Sequence, residues 1–197
     1  MNVAGLLQPG EAAAGLSSLY SVLRGVQIHT LSAVNRVSRK LTVEQFKSQY
    51  PYPFLIHENT QSTIDCEGNQ TMGMAYMPTS IDPREARSWV VYVVRGPEGR
   101  PCTVSLGRAD DNDIIITDPS VSKNHARLSV QEGESTLRVV DLGSTNGTFL
   151  NDERLESNKS FEVPAGQCVD FGRVPLRFLG AEGLYDYLDS LREDGKL

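Results

Sequence analysis

The sequence predicts an all-β antiparallel sandwich with a mainly helical N-terminal extension and a short C-terminal helix. Three observations predict it. After Trp89 the apolar residues come in short runs. Those runs are broken by Gly-Pro, Asp-Asp-Asn, Gly-Glu, Asn-Gly and Ala-Gly. Helical spacing is confined to the two ends of the chain. Many short strands with turn residues between them are the pattern of two packed sheets. A chain of 197 residues holds one sandwich with a substantial core and an added segment, and leaves little room for two full domains. The expected division is residues 1–85 for the extension, 86–180 for the sandwich and 181–197 for the closing helix.

Taken in order, Leu19, Leu23, Val26, Leu31, Val34 and Val37 recur at spacings that predict an amphipathic helix over residues 17–40, weakened at Gly25. Thr42-Val43-Glu44-Gln45 reads as a capping box that opens a second short helix, and Pro51 and Pro53 stop it. Residues 54–57 read as a short strand. Residues 58–83 are polar and fit either strands or a loop. Strands are expected at 89–95, 102–106, 114–116, 126–131, 137–141, 148–150, 161–163, 168–171 and 176–179. In the tail, Leu184, Tyr187, Leu188 and Leu191 share one helical face, which predicts a helix packed back on the sandwich.

A formal net charge of −6 argues against general nucleic-acid binding, which relies on a broad basic surface to release counterions. Any affinity for phosphate must then be local. Cys66, Cys102 and Cys168 form no Cys-x-x-Cys pair and no zinc-ligand spacing, which fits a reducing compartment and no bound metal or cofactor. No apolar stretch approaches the roughly 20 residues that span a bilayer, and the first residues lack a basic, then apolar, leader pattern. The expectation is a cytoplasmic protein with no membrane insertion.

Three short blocks carry the chemistry: Gly107-Arg108, Ser122-Lys123-Asn124-His125 and Ser144-Thr145-Asn146-Gly147. Arg108 and Lys123 are cationic donors, Ser122 and Thr145 supply hydroxyls, and Asn146 supplies an amide able to hold a peptide backbone. A phosphothreonine carries about −1.5 to −2 charges and three strong acceptor oxygens, so one fixed guanidinium plus several neutral donors suits it. A metal ion would want carboxylates or thiolates instead. Each block also has a plain reading. Arg108 alone would pair with Asp110, Asp111 or Asp113, Ser122-Lys123 alone would be a polar turn, and Asn146-Gly147 alone is a tight hairpin turn.

In this order, and with comparable spacing between apparent strands, the blocks resemble the forkhead-associated (FHA) domain, a phosphothreonine-binding module with an antiparallel sandwich fold. The resemblance covers residues 89–179. It implies that Arg108, Ser122 and Thr145 hold the phosphate with Lys123 assisting, and that Asn146 fixes the peptide backbone. It also implies that Gly107, His125, Ser144 and Gly147 support the site loops. Lys123 stands where arginine is frequent in the family, and it loses the bidentate fork. In the family a small pocket for the γ-methyl group selects threonine, and variable loops read the third residue after it. Ser120 and the turn 110–113 lie in such loops here, and their acidity disfavours an acidic peptide residue. A catalytic reading with Ser122 as nucleophile, His125 as base and Asp141 as third member lacks a nucleophile elbow and an evident oxyanion hole.

The leading functional expectation is a phosphothreonine-dependent adaptor acting downstream of a Ser/Thr protein kinase. The alternative from a different class is a phosphate-independent scaffold, such as an interaction subunit of a secretion machine. A third, an enzyme in residues 1–85, finds His29, His57, Glu58, Asp65 and Glu67 in no catalytic or metal spacing. Thr79, with Asp82 three residues on, is a candidate for phosphorylation and docking into a neighbouring molecule's site.

Overall fold

The computed structural model describes residues 26–51, 53–57, 90–94, 102–130 and 136–195. The chain enters through β1 (Val26–Thr30), α1 (Leu31–Ser38), α2 (Val43–Gln49) and β2 (Phe54–His57). Then come β3 (Val90–Val94), β4 (Cys102–Gly107), β5 (Ile114–Ile115), β6 (Ala126–Val130) and β7 (Thr136–Asp141). The last segment holds β8 (Thr148–Leu150), β9 (Glu153–Arg154), β10 (Ser160–Pro164), β11 (Cys168–Phe171), β12 (Val174–Leu179) and α3 (Ala181–Glu193). Two sheets result, in the orders β1-β3-β2-β12-β11-β8-β9 and β10-β7-β6-β4-β5. Among the described residues all pairings are antiparallel except β4 with β5.

The inner faces of the two sheets meet in one core. Val104, Leu106, Leu128 and Val139 come from the smaller sheet, and Leu55, Val169, Phe171, Leu176 and Phe178 from the larger. A second core lies on the outer face of the larger sheet. There Phe54, Ile56 and Leu179 pack against Leu31 and Val34 of α1, Phe46 of α2, and Leu184, Leu188 and Leu191 of α3. Strand β2 explains both. Leu55 points into the sandwich, while Phe54 and Ile56 point under the helices, so successive residues are buried on opposite sides. A strand covered on both faces reads as a continuous apolar run, as Phe54-Leu55-Ile56 does.

The helical layer is tied across the chain's two ends. Arg192 of α3 donates from Nε to Asn35 Oδ1 (2.7 Å) and from Nη2 to Ser38 Oγ (2.6 Å), and Lys47 Nζ meets Glu182 Oε2 at 3.1 Å. The capping box of α2 forms as the sequence predicts. Thr42 Oγ1 accepts from the Gln45 N–H (3.3 Å), and Gln45 Oε1 accepts from the Thr42 N–H (2.9 Å).

Two expectations change. The helix expected over 17–40 begins only at Leu31, because Val26–Thr30 is a strand paired with β3; residues 17–25 lie outside the described residues. Val26, Ile28 and Thr30 are β-branched at alternate positions, which suits a pleated strand better than a helix. The expected boundary after residue 85 runs through the larger sheet, since β1 and β2 precede it and β2 lies between β3 and β12. Strand β9 was not anticipated. Thr79, Cys66 and the stretch 58–83 lie outside the described residues, as does His29 beyond its backbone.

Candidate functional site

The three sequence blocks meet at one end of the smaller sheet because each adjoins a strand end there: Gly107 ends β4, His125 precedes β6 and Ser144 follows β7. Gly107 closes β4, and its carbonyl accepts from the Ile116 N–H (2.9 Å). The next backbone N–H, of Arg108, donates to the Ser122 carbonyl (2.9 Å), and that of Ala109 to the Lys123 carbonyl (3.2 Å). This contact explains the glycine. A Cβ on Gly107 would sit 2.2 Å from the Lys123 carbonyl oxygen and 2.8 Å from Asn112 Nδ2, inside any permitted contact. Asn112 itself is buried and donates to the carbonyls of Ala109 (2.9 Å) and Lys123 (2.8 Å), pinning the turn to the second block. A Gly107→Ala variant is expected to lose about 2 kcal/mol of stability through overpacking. Urea unfolding checks this, and an unchanged midpoint would contradict it.

Arg108 is exposed, and its side chain is tethered by Nε to the Val121 carbonyl (3.2 Å). Its two terminal nitrogens make no hydrogen bond among the described residues. The tether holds the guanidinium beside the second block and leaves a fork of two terminal nitrogens free to donate, which is what a phosphate oxygen pair requires. Lys123 is exposed beside it.

Ser122 and Thr145 come from different blocks and touch. The Thr145 N–H donates to Ser122 Oγ (3.0 Å), and the two hydroxyl oxygens lie 3.4 Å apart. Asn146 is exposed, and its Nδ2 donates to the Ser120 carbonyl (2.8 Å), which leaves Oδ1 and one amide hydrogen available. Arg108, Ser122, Thr145 and Asn146 are therefore joined through residues 120–122, with Lys123 next in the chain.

His125 is fully buried. The Ser122 N–H donates to Nδ1 (3.0 Å), which fixes the proton on Nε2, and Nε2 then donates to the Gly147 carbonyl (3.2 Å). Burial pulls the imidazole pKa below its ordinary value, against the opposing pull of Asp141 and the Gly147 carbonyl, so the ring stays neutral. Its edge packs on Phe171 at 5.8 Å. The arrangement is not a triad. Ser122 Oγ bonds Thr145 rather than the imidazole, and Asp141 lies 3.9 Å from Nε2 instead of orienting the far nitrogen.

Asp141, at the end of β7, organises the third block. Its carboxylate, 1% exposed, accepts from the N–H groups of Gly143 (2.8 Å) and Ser144 (3.0 Å) and from the hydroxyls of Ser144 (2.5 Å), Thr148 (2.7 Å) and Ser157 (2.9 Å). Burial pushes the carboxyl pKa up. The hydrogen bonds from Ser144, Thr148 and Ser157 outweigh that and hold it at about 2. Ser144 Oγ in turn accepts from the Gly147 N–H (3.0 Å). The loop that presents Thr145 and Asn146 is thus built around one buried anion.

A fourth segment joins the site without a signal in the three blocks. The turn between β11 and β12 places the Gly172 N–H on the Gly147 carbonyl (2.9 Å) and the Arg173 N–H on Ser120 Oγ (2.9 Å). Gly172 has φ +65°, and a Cβ there would lie 2.5 Å from the Ser120 carbonyl oxygen. Ser120 is consequently buried and braces the loops. The usable signals were Asp141 two and three residues before Gly143 and Ser144, an Asx-turn pattern, and a lone glycine between two strands.

The fold and these loops define the class. The FHA-domain family model matches residues 104–172, and the chain belongs to the FHA-domain family. It is 35% identical over 114 residues to an oxoglutarate dehydrogenase inhibitor of Corynebacterium efficiens, covering 54% of this chain and 76% of that protein. It is 36% identical over 112 residues to the FHA domain-containing protein FhaB of Mycobacterium tuberculosis, covering 53% of this chain and 70% of that one. It is also 40% identical over 108 residues to the glycogen accumulation regulator GarA of Mycolicibacterium smegmatis, covering 51% and 65% respectively.

Proposed function

We propose that this protein is a phosphothreonine-dependent adaptor that docks on a partner after a Ser/Thr protein kinase has modified it, and that it performs no catalysis of its own. The observation that carries this reading is the convergence of the tethered Arg108 fork with the Ser122–Thr145 pair on one exposed rim. The guanidinium answers the phosphate charge, the two hydroxyls and Lys123 answer its remaining oxygens, and Asn146 holds the peptide backbone through its free amide groups. Gly107, His125, Ser144 and Gly147 hold the loops and touch no ligand. The Arg108 and Asn146 side chains are already held by backbone carbonyls, so little ordering entropy opposes their engagement.

The test is calorimetric titration of the full chain with a phosphothreonine peptide pool, beside the unphosphorylated pool. Arg108→Ala is expected to weaken phosphopeptide binding by about 2 to 5 kcal/mol, because a dianion would be left without its fork. Equal affinity in the variant would contradict the assignment of Arg108. Binding that ignores phosphorylation would instead support a phosphate-independent scaffold.

A further inference from the structure

Of the chain's asparagines, only Asn146 is followed by a glycine. Such a pair carries a chemistry of its own. The Gly147 nitrogen, with no side chain to shield it, can attack Asn146 Cγ, close a five-membered succinimide and expel Nδ2 as ammonia, which takes up the proton that the backbone nitrogen loses. Water then opens the ring at either carbonyl and leaves aspartate or isoaspartate, so one water is consumed for each ammonia released. The turn needs both residues. Gly147 has φ +88°, a conformation that other residues rarely adopt, and the Asn146 amide bridges to Ser120. Both reacting groups are held. The attacking N–H of Gly147 is buried and donates to Ser144 Oγ (3.0 Å), which itself bonds the Asp141 carboxylate, and the leaving Nδ2 donates to the Ser120 carbonyl (2.8 Å). The Gly147 carbonyl is fixed as well, by His125 Nε2 (3.2 Å) and the Gly172 N–H (2.9 Å). Deprotonating the nitrogen or turning Cγ toward it therefore requires the loop to open first.

We infer that Asn146 is a site of spontaneous deamidation, that the Ser144 and Ser120 bonds hold its rate down, and that conversion switches the phosphate site off. The consequence for binding rests on the phosphopeptide reading above, whereas the chemistry stands apart from it. In the product an aspartate carboxylate faces the Ser120 carbonyl, acceptor against acceptor, where Nδ2 donated before. It also sets a negative charge one residue from Thr145, beside the place that a dianionic phosphate takes. Isoaspartate adds a methylene to the main chain next to Gly147, whose N–H and carbonyl are both committed. Either product loses the amide that would hold a peptide and repels its phosphate. The bonds that shape the site for its ligand are thus the ones that keep it from converting, and the stability of the loop sets the working life of the site.

The experiment follows the full chain in mildly alkaline buffer by peptide mass spectrometry, read as the amide-to-acid mass gain at Asn146, with phosphothreonine-peptide titration of the same samples. Wild type is compared folded and in denaturing guanidinium, and with Ser144→Ala, whose folding is checked by circular dichroism. In guanidinium Asn146 is expected to convert faster than every other asparagine, and in the folded chain roughly a hundredfold more slowly than that. Ser144→Ala should convert about tenfold faster than folded wild type, the factor that one lost hydrogen bond gives. Binding-competent protein should disappear at the rate of conversion. Equal rates folded and unfolded, no conversion in guanidinium, or a folded Ser144→Ala with the wild-type rate would overturn the inference; if that variant does not fold, the wild-type comparison decides it. Undiminished binding by converted protein would overturn the switch and leave the phosphopeptide reading in place. Failure of fresh protein to bind would overturn that reading and the switch together, with the mass readout still deciding whether the loop guards Asn146.

Discussion

An Asp141→Ala variant is expected to lose about 3 to 5 kcal/mol of unfolding free energy, because it removes one buried acceptor that serves five donors. Two of those donors are backbone N–H groups at the start of the loop that carries Thr145 and Asn146, and the one on Ser144 is buried. Phosphopeptide affinity should fall with stability, since Thr145 and Asn146 hang from this loop. Chemical denaturation followed by circular dichroism measures the effect. A loss below about 1 kcal/mol, the range of an ordinary surface change, would mean the carboxylate does not hold the loop.

The same carboxylate sets an acid limit. Its folded pKa is about 2 against 3.8 for the free group, so the unfolded chain takes up the proton first as pH falls. Its contribution is complete above pH 3.8 and is lost as pH drops from 3.8 towards 2, at a cost of about 2 kcal/mol. His125 acts at higher pH with the same sign. Its folded pKa is lowered below 6.5, so the unfolded chain protonates first and stability declines as pH falls below 6.5. A proton on Nδ1 would also confront the Ser122 N–H that now donates to it. A stability profile measured from pH 8 to pH 2 should fall in two stages, and Asp141→Asn should flatten the lower one.

The second large effect concerns the limits of the folding unit. A fragment of residues 86–180 is expected not to fold cooperatively, whereas residues 26–195 should. Without β2, strand β3 loses the neighbour that joins it to β12. Leu55 also leaves the inter-sheet core, a deletion that by itself resembles the 2 to 5 kcal/mol scale of a large-to-small core change. The outer face then exposes Leu179 and loses Leu184, Leu188 and Leu191 with α3. Amide dispersion in a proton–nitrogen spectrum of the two fragments distinguishes the outcomes. A well-dispersed spectrum from 86–180 would show that the sheet tolerates the loss of both N-terminal strands and the helical layer.

The features that the sequence by itself determined are those in which a short run of residues carries its own partners. The Thr42–Gln45 capping box, the strand pattern from 102 to 179, the α3 stripe and the three loop blocks all depend on neighbours within a few residues. The structure brings those blocks together: the Arg108 N–H donates to the Ser122 carbonyl, the Thr145 N–H to Ser122 Oγ, and His125 Nε2 to the Gly147 carbonyl. Tertiary structure alone decided the rest. Val26–Thr30 reads as part of a helix until β3 arrives beside it, since Val26 also completes a helical spacing with Leu19 and Leu23. Phe54-Leu55-Ile56 gives a strand but not its place between β3 and β12, because an apolar run does not say which sheets or helices will cover its two faces. The bond between the Arg173 N–H and Ser120 Oγ spans 53 residues of chain. Only closure of the sandwich sets that distance. Periodicity reports how a segment is exposed; the fold decides what stands against it.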